Sequence, residues 1–342
     1  MILDIRIYLI ITLFAIVCLS LIMYNFLALY HNRNSLPSTR KIEKWQKKIV
    51  KGRKPFWRLR KTKNLAAYAL ALETMAPATL EPKKFTKLAK IYGKKHSACR
   101  AFYANFIANF PHLVGMDSRE ITDTLISYID DSVYSRTNVL RALCGLGSDQ
   151  GVVKALHKIN NTYFLHNQLL TDALNTFSGD KEAFSHLLWE EGGNWNSEIT
   201  TGVIDFIAKT SRHFGAEFMP LLQKPSTNEK VRAAVVRYYG NHIYEPARPI
   251  LIELLTNPTY ISVAAEAAES LGLYPTKDTS EALRTALYSP YWAVRYAASS
   301  SLIAITGTIE LRKILQNESI FATEIAQYMV DTSVESGERV SA

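Results

Sequence analysis

Residues Ser289–Leu302 read "SPYWAVRYAASSSL", and their reading decides the fold. Ser289 has the chemistry of an N-cap and Pro290 suits the first helical position. The stretch is nevertheless crowded with Ala and Ser, which make a poor apolar face for a helix standing alone. Such a helix is worth building only where a neighbour comes close enough to need small residues. The rest of the chain supplies that neighbour.

Val294 has counterparts in Val263 of "SVAAEAAESLG" and Val231 of "KVRAAVVRYYG", at spacings of 31 and 32 residues. Four positions on stand Ala298, Ala267 and Val235, and eight positions on stand Leu302, Leu271 and Tyr239. Steps of 30 to 32 residues carry the same triplet back to Ile199/Val203/Ile207, Leu169/Ala173/Phe177 and Asn138/Ala142/Leu146. Positions 0, +4 and +8 share one helical face. Six helices therefore present one stripe, with Asn138 the only non-apolar first member, and each packs on copies of itself. Second helices are predicted between them at 119–130, 181–190, 246–256, 280–289 and 309–317. Asp278 with Glu281 and Asp117 with Glu120 read as capping boxes.

Two helices per roughly 31 residues is the pattern of an α-solenoid. The segments "NEKVRAAVVRYYG", "NPTYISVAAEAAESLG" and "SPYWAVRYAASSSL" resemble the HEAT-repeat family, including its short bacterial form. The resemblance is good over 228–317, fair over 118–227 and weak over 64–117. It implies an all-α, right-handed solenoid of HEAT-like helix pairs. It also implies that Arg232 and Arg295 stitch adjacent repeats. Ala264 stands where that family carries the arginine, which interrupts the ladder.

The net charge of +9 is unevenly placed. Residues 33–63 hold thirteen Lys/Arg against the single acid Glu43, while residues 101–342 hold nineteen against twenty-seven Asp/Glu. Residues 7–30 run without a charge, long enough to cross a bilayer core of roughly 30 Å, and no small-x-small cleavage site follows. With Arg6 alone before the run and a basic cluster after it, the expected topology is N-terminus out and solenoid in the cytoplasm, at the cell (inner) membrane. The expected organisation is a short tail (1–6), a transmembrane helix (7–30) and a basic juxtamembrane segment (31–63). An irregular helical cap (64–117), HEAT-like repeats (118–331) and a disordered tail (332–342) follow.

Within the basic segment Ile42, Trp45 and Ile49 make one apolar stripe on a lysine-rich helix. This predicts a helix lying in the headgroup layer, with Lys41, Lys44, Lys47, Lys48 and Lys51 at an anionic lipid surface. Arg53, Lys54, Arg58 and Arg60 extend the surface, and Trp45 and Trp57 bring rings to interfacial depth. Nucleic acid is disfavoured, because the repeats are net acidic and the basic segment lies beside the membrane.

No Walker loop, G-x-G-x-x-G, G-x-S-x-G or H-E-x-x-H occurs, and the three cysteines (Cys18, Cys99, Cys144) lack metal or disulfide spacing. No catalytic, cofactor or metal residue is assigned. "WEEGGNW", Trp189–Trp195, reads as a helix terminus with Trp189 in the core rather than an acid/base pair at Glu190 and Glu191. Cys99 and Cys144 read as small buried hydrophobes. Positions +2, +3 and +6 face away from the shared core and form a mixed-to-acidic strip: Asp172, Asn175, Asp205, Arg237, Glu266, Glu269 and Tyr296. This strip is the expected groove for a protein partner. The leading expectation is a non-enzymatic, membrane-anchored scaffold. The resemblance adds a membrane-embedded partner, such as an envelope-polysaccharide complex. It adds as an alternative an enzyme of the bilin-lyase or DNA-glycosylase type.

Overall fold

In the computed structural model, residues 37–51, 56–74, 82–114, 119–315 and 320–340 are described. The run 7–30 and the residues Cys18, Arg53, Lys54 and Asp117 lie outside them. Among the described residues no helix is long and apolar enough to cross a membrane.

The described chain is helical throughout. The first elements are α1 (Thr39–Val50), a short 3-10 turn (Phe56–Arg60) and α2 (Thr62–Glu73). Helix pairs then follow: α3 (Pro82–Gly93) with α4 (Ser97–Asn109), and α5 (Arg119–Ser127) with α6 (Val133–Gly145). Next come α7 (Asp149–Thr162) with α8 (Asn167–Asn175), and α9 (Lys181–Glu190) with α10 (Ser197–Thr210). The later pairs are α11 (Gly215–Gln223) with α12 (Glu229–Asn241), and α13 (Arg248–Thr256) with α14 (Ile261–Leu271). The last are α15 (Lys277–Ala286) with α16 (Trp292–Thr306), and α17 (Ile309–Ile314) with α18 (Ile320–Val340). From α4 to α18 each even-numbered helix packs on the next, which is the self-packing that the small residues call for.

The stripe is buried as expected in α10, α12, α14 and α16: Ile199, Val203, Ile207, Val235, Tyr239, Ala267, Leu271, Ala298 and Leu302 are all essentially inaccessible. Close approach is visible at Gly202 of α10, where a Cβ would sit 3.0 Å from the Asn167 carbonyl oxygen of α8. Only a hydrogen fits there. In α8 the first position departs: Leu169 is exposed and Leu170 is buried.

In α6 the predicted stripe is displaced by three residues. Counted from its N-cap Ser132, the equivalent of Val231 (three past the N-cap Asn228) is Ser135, so the stripe is Ser135/Val139/Leu143 and Asn138 is only half-buried. The constant step fails because the repeats lengthen here, to 36 residues from His96 to Ser132 and 34 from Ser132 to His166. The same count brings α4 into the series through Cys99, Tyr103 and Ile107, so residues 82–114 continue the regular stack rather than cap it irregularly.

Several helix starts also move. The helix containing Val294 begins at Trp292 with Tyr291 as its N-cap, and Ser289, two residues before Tyr291, accepts from the Tyr291 N–H through Oγ (3.3 Å). Thr276, not Asp278, caps α15 by accepting from Thr279 N–H (3.3 Å). Two second helices, α7 and α11, have no counterpart among those predicted. The expected tail also differs, because α18 remains helical to Val340.

Buried tyrosines tie the stack together, each hydroxyl donating to a main-chain carbonyl, within a pair for Tyr103 and Tyr239 and between pairs for Tyr274. Tyr103 reaches Phe85 O (2.7 Å), Tyr239 reaches Gly215 O (2.6 Å) and Tyr274 reaches Tyr239 O (3.0 Å). Burial pushes these phenols up, so they stay protonated donors.

Candidate functional site

The outward faces of α8, α10, α12 and α14 together form a trough of about 570 Å³. Its centre is Arg237, on α12. The guanidinium donates from Nη2 to Asp205 Oδ1 of α10 (2.9 Å) and from Nη1 to Glu266 Oε1 of α14 (2.8 Å). Asp205 and Arg237 stand 32 residues apart at the same position of successive helices, while Glu266 comes from one turn earlier on α14, 29 residues on. Burial works against the Arg237 charge, but the two carboxylates outweigh it and hold the group more basic than usual. Glu266 moves the other way from an ordinary ion-pair member. Burial raises it, Arg237 opposes, and the nearby Glu269 and Asp205 charges push it up again.

A second tie crosses the same floor. Lys230 of α12 pairs with Glu198 of α10, whose other oxygen accepts from Asn167 N–H of α8 (3.2 Å). Burial pushes the Glu198 carboxyl up, yet Lys230, the Asn167 N–H and His166 outweigh burial and hold it low. Glu229 accepts from Ser262 Oγ across the next joint. Four carboxylates (Asp172, Asp205, Glu229, Glu266) face three cations (Lys209, Lys230, Arg237) in the lining. Lys230 is already spent on Glu198. Asp172 and Lys209 are exposed and carry no ion pair among the described residues.

Of the seven strip residues expected to face a partner, Asp172, Asp205, Arg237 and Glu266 meet in this trough. Glu269 lies beside it, exposed and close enough to act on Glu266. Asn175 sits outside, its carbonyl accepting from Lys181 Nζ (2.9 Å). Tyr296 lies further along the same face, on α16, near an aromatic group formed by Trp292 and Tyr328 (ring centroids 5.5 Å apart) and by Phe321. The even-helix face thus runs from Phe102 and Tyr134 over α4 and α6, through the charged trough, to aromatic rings at α16–α18. Lys209, Lys230 and Glu198 escaped the helical-wheel reading, because they fall outside the +2, +3 and +6 positions.

Arg232 and Arg295 correct an expectation taken from the resemblance. Each donates to carbonyls of the turn inside its own pair: Arg232 to Lys224 O (2.9 Å), Arg295 to Ser289 O (2.9 Å) and Pro290 O (3.0 Å). Arg295 also reaches the next repeat, at Glu324 (3.1 Å), and Arg100 does so at Asp130. The same role falls to Arg136, donating to Asp130 O (2.8 Å), and to Arg100, donating to Lys95 O (3.1 Å). Those two occupy the same position one past the stripe, hidden in the sequence because Cys99 and Ser135 precede them instead of valine.

The chemistry-like stretches resolve structurally. Trp189 packs edge-on to Phe218 (4.8 Å), and Glu190 and Glu191 are exposed where α9 ends, with Glu191 3.6 Å from His157 Nε2. Cys144 is wholly buried, which raises its thiol well above the usual range, and Cys99 is half-buried beside Thr62. Among the described residues no group of His, Cys, Asp and Glu could hold a metal ion.

The basic segment is folded onto the stack. The stripe of α1 is covered by α2: Trp45 is buried edge-on to Tyr68 (5.4 Å), and Ile42 and Ile49 pack into the core. That overturns the expectation that this stripe lies in lipid, because Trp45 is buried and Ile42 and Ile49 are partly covered, which leaves little apolar area to insert. Lys41, Lys44, Lys47, Lys51, Arg58 and Arg60 remain exposed, as does Trp57.

Residues 216–315, from α11 to the end of α17, match the family model for HEAT repeats. No curated protein matches the chain. That match covers the pairs from α11 to α17, and the pairs from α3 to α10 stack in the same even-on-even order.

Proposed function

We propose that the chain is a membrane-tethered binding scaffold whose trough over α8–α14 seats a protein partner presenting cationic side chains. Residues 7–30 form the tether in this reading, with the repeats on the cytoplasmic side. The partner belongs to a membrane-embedded complex, of which an envelope-polysaccharide assembly is one candidate. Its role is binding rather than catalysis. The observation that supports it best is the charge balance of the trough. Arg237 is already shared by two carboxylates, so Asp172 and Glu269 are left to be met from outside.

The test replaces charges that bear no structural load. A partner is crosslinked in solubilised membranes, identified and purified, and its affinity is measured for Asp172→Lys with Glu269→Lys. Affinity should fall by about tenfold or more, with no change in melting temperature. Unchanged affinity would remove the trough from the reading. The paired change Glu190→Gln with Glu191→Gln should leave biological function intact. Loss of function with binding and stability retained would mark an acid/base site instead.

A further inference from the structure

The N-terminal module carries cations that have no ion-pair partner among the described residues. Lys44, Lys48 and Arg58 lie close enough that the charges of Arg58 and Lys44 both lower Lys48, in addition to its burial. Among the described residues none of the three has a carboxylate within ion-pairing distance. Like charges gathered without a counter-charge cost stability, so the cluster is a sign of an anion supplied from outside.

The geometry is held rather than loose. The turn Phe56–Arg60 is pinned through its main chain: Tyr92 Oη donates to Leu59 O (3.0 Å), Asn64 Nδ2 to Arg58 O (2.9 Å) and Lys95 Nζ to Arg60 O. Phe56 packs edge-on to Phe85 (6.1 Å) and Leu59 is buried. Between these anchors Trp57 is held out to solvent at 64% exposure, with the Arg58 guanidinium 5.0 Å from its ring centroid. Val50, at the end of α1, is 72% exposed. A fixed tryptophan beside unpaired cations suits the headgroup level of a bilayer, where the ring takes the apolar boundary and the cations take phosphate.

The chain before the module favours the same occupant. Only residues 31–38 separate the uncharged run from α1, and eight residues extend at most about 28 Å. We infer that the Trp57 edge, with Lys44, Lys48 and Arg58, docks on the anionic phospholipid headgroups of the membrane surface. This surface is distinct from the covered Ile42–Trp45–Ile49 stripe and independent of the trough.

The five tryptophans include none in the uncharged run, which permits a test on the whole chain. The protein is reconstituted into vesicles whose acyl chains are brominated, made of phosphatidylcholine alone or with phosphatidylglycerol, and tryptophan quenching is measured. Quenching should be greater with the anionic lipid. Trp57→Phe should abolish the difference between the two lipids, and so should the combined Lys44→Gln, Lys48→Gln and Arg58→Gln. Carbonate-resistant association with the vesicles should persist in both variants. Equal quenching in the two lipids overturns the inference, as does a difference that survives in Trp57→Phe. Tight binding of single-stranded RNA to the same cations, with equal quenching, would also overturn it and assign the surface to nucleic acid. Loss of carbonate resistance with the quenching difference intact would instead remove the tether and leave this surface standing.

Discussion

The trough helices and the N-terminal module use charge in opposite ways. Across α8–α14, Lys230 and Arg237 are each spent on carboxylates of neighbouring helices, so charge there sets the spacing of repeats. In α1 and the Phe56–Arg60 turn, Lys44, Lys48 and Arg58 stand together without a carboxylate at ion-pairing distance among the described residues, held in place by apolar packing beneath them. Paired charge is architecture, and unpaired charge on a rigid base is available to something else. The distinction can be broken by mutation, and the expected effects differ in size.

The largest effect should come from the seam common to every repeat. Gly202→Leu or Ala267→Leu forces apart helices in contact at backbone distance, and unfolding should show a loss of about 3 kcal/mol. Ser300→Leu, at a half-exposed outward position of α16, should cost little. Equal losses at seam and surface would mean that the packing does not depend on small residues.

Next comes the arginine that pins a turn. Arg136→Ala removes a buried, charge-assisted bond to Asp130 O and should cost about 2 kcal/mol, without rescue by lysine, whose ammonium lacks the planar fork. Arg237→Met should cost less, about 1 kcal/mol, because the triad is half-solvated; added salt should shrink the difference. If the cost is independent of salt, the triad is not acting through charge.

The effect of pH should be smaller and of two signs. In Asp130 and Glu198 burial is outweighed by hydrogen bonds, from Arg100 and from Lys230 respectively, so both carboxyls are held low. Their stabilisation is present above the unfolded carboxyl range, about pH 4, and is lost as pH falls through their lower folded values. Glu266, raised by burial, acts in reverse: its protonated form is favoured in the fold, and that contribution fades as pH rises through its folded value. Glu266→Gln should therefore flatten the mildly acidic limb of the stability curve, while Glu198→Gln flattens the steeper acid limb. The smallest effect belongs to the module: Lys44→Gln with Lys48→Gln should leave stability unchanged or raise it by a few tenths of a kcal/mol. A clear loss would show that these cations are structural after all.

The difference between the regions also explains what could be read from sequence. The stripe was legible in α10, α12, α14 and α16 because a helix packing on its own copies repeats its contacts at a fixed step. It was misplaced in α6 because fourteen-residue α7 and longer connections change that step while leaving helical periodicity intact. Asp205, Arg237 and Glu266 share one face of the helical wheel and line one trough. A wheel cannot say that they pair with one another, since that depends on which turn of one helix lies beside which turn of the next. The stripe on α1 failed for a related reason: an amphipathic helix has the same pattern whether lipid or α2 covers it.

The Arg237 bridge ties three successive helices together through one side chain. Its two bonds join α10, α12 and α14 at one point, and the carboxylates left for a cationic guest, Asp172 and Glu269, lie beside them. Were a guest's cation also to compete for Asp205 or Glu266, one of those bonds would loosen, and by reciprocity a pull that opens the joint would strengthen the guest's hold. A force on the stack and the strength of its grip would in that case be two readings of one quantity.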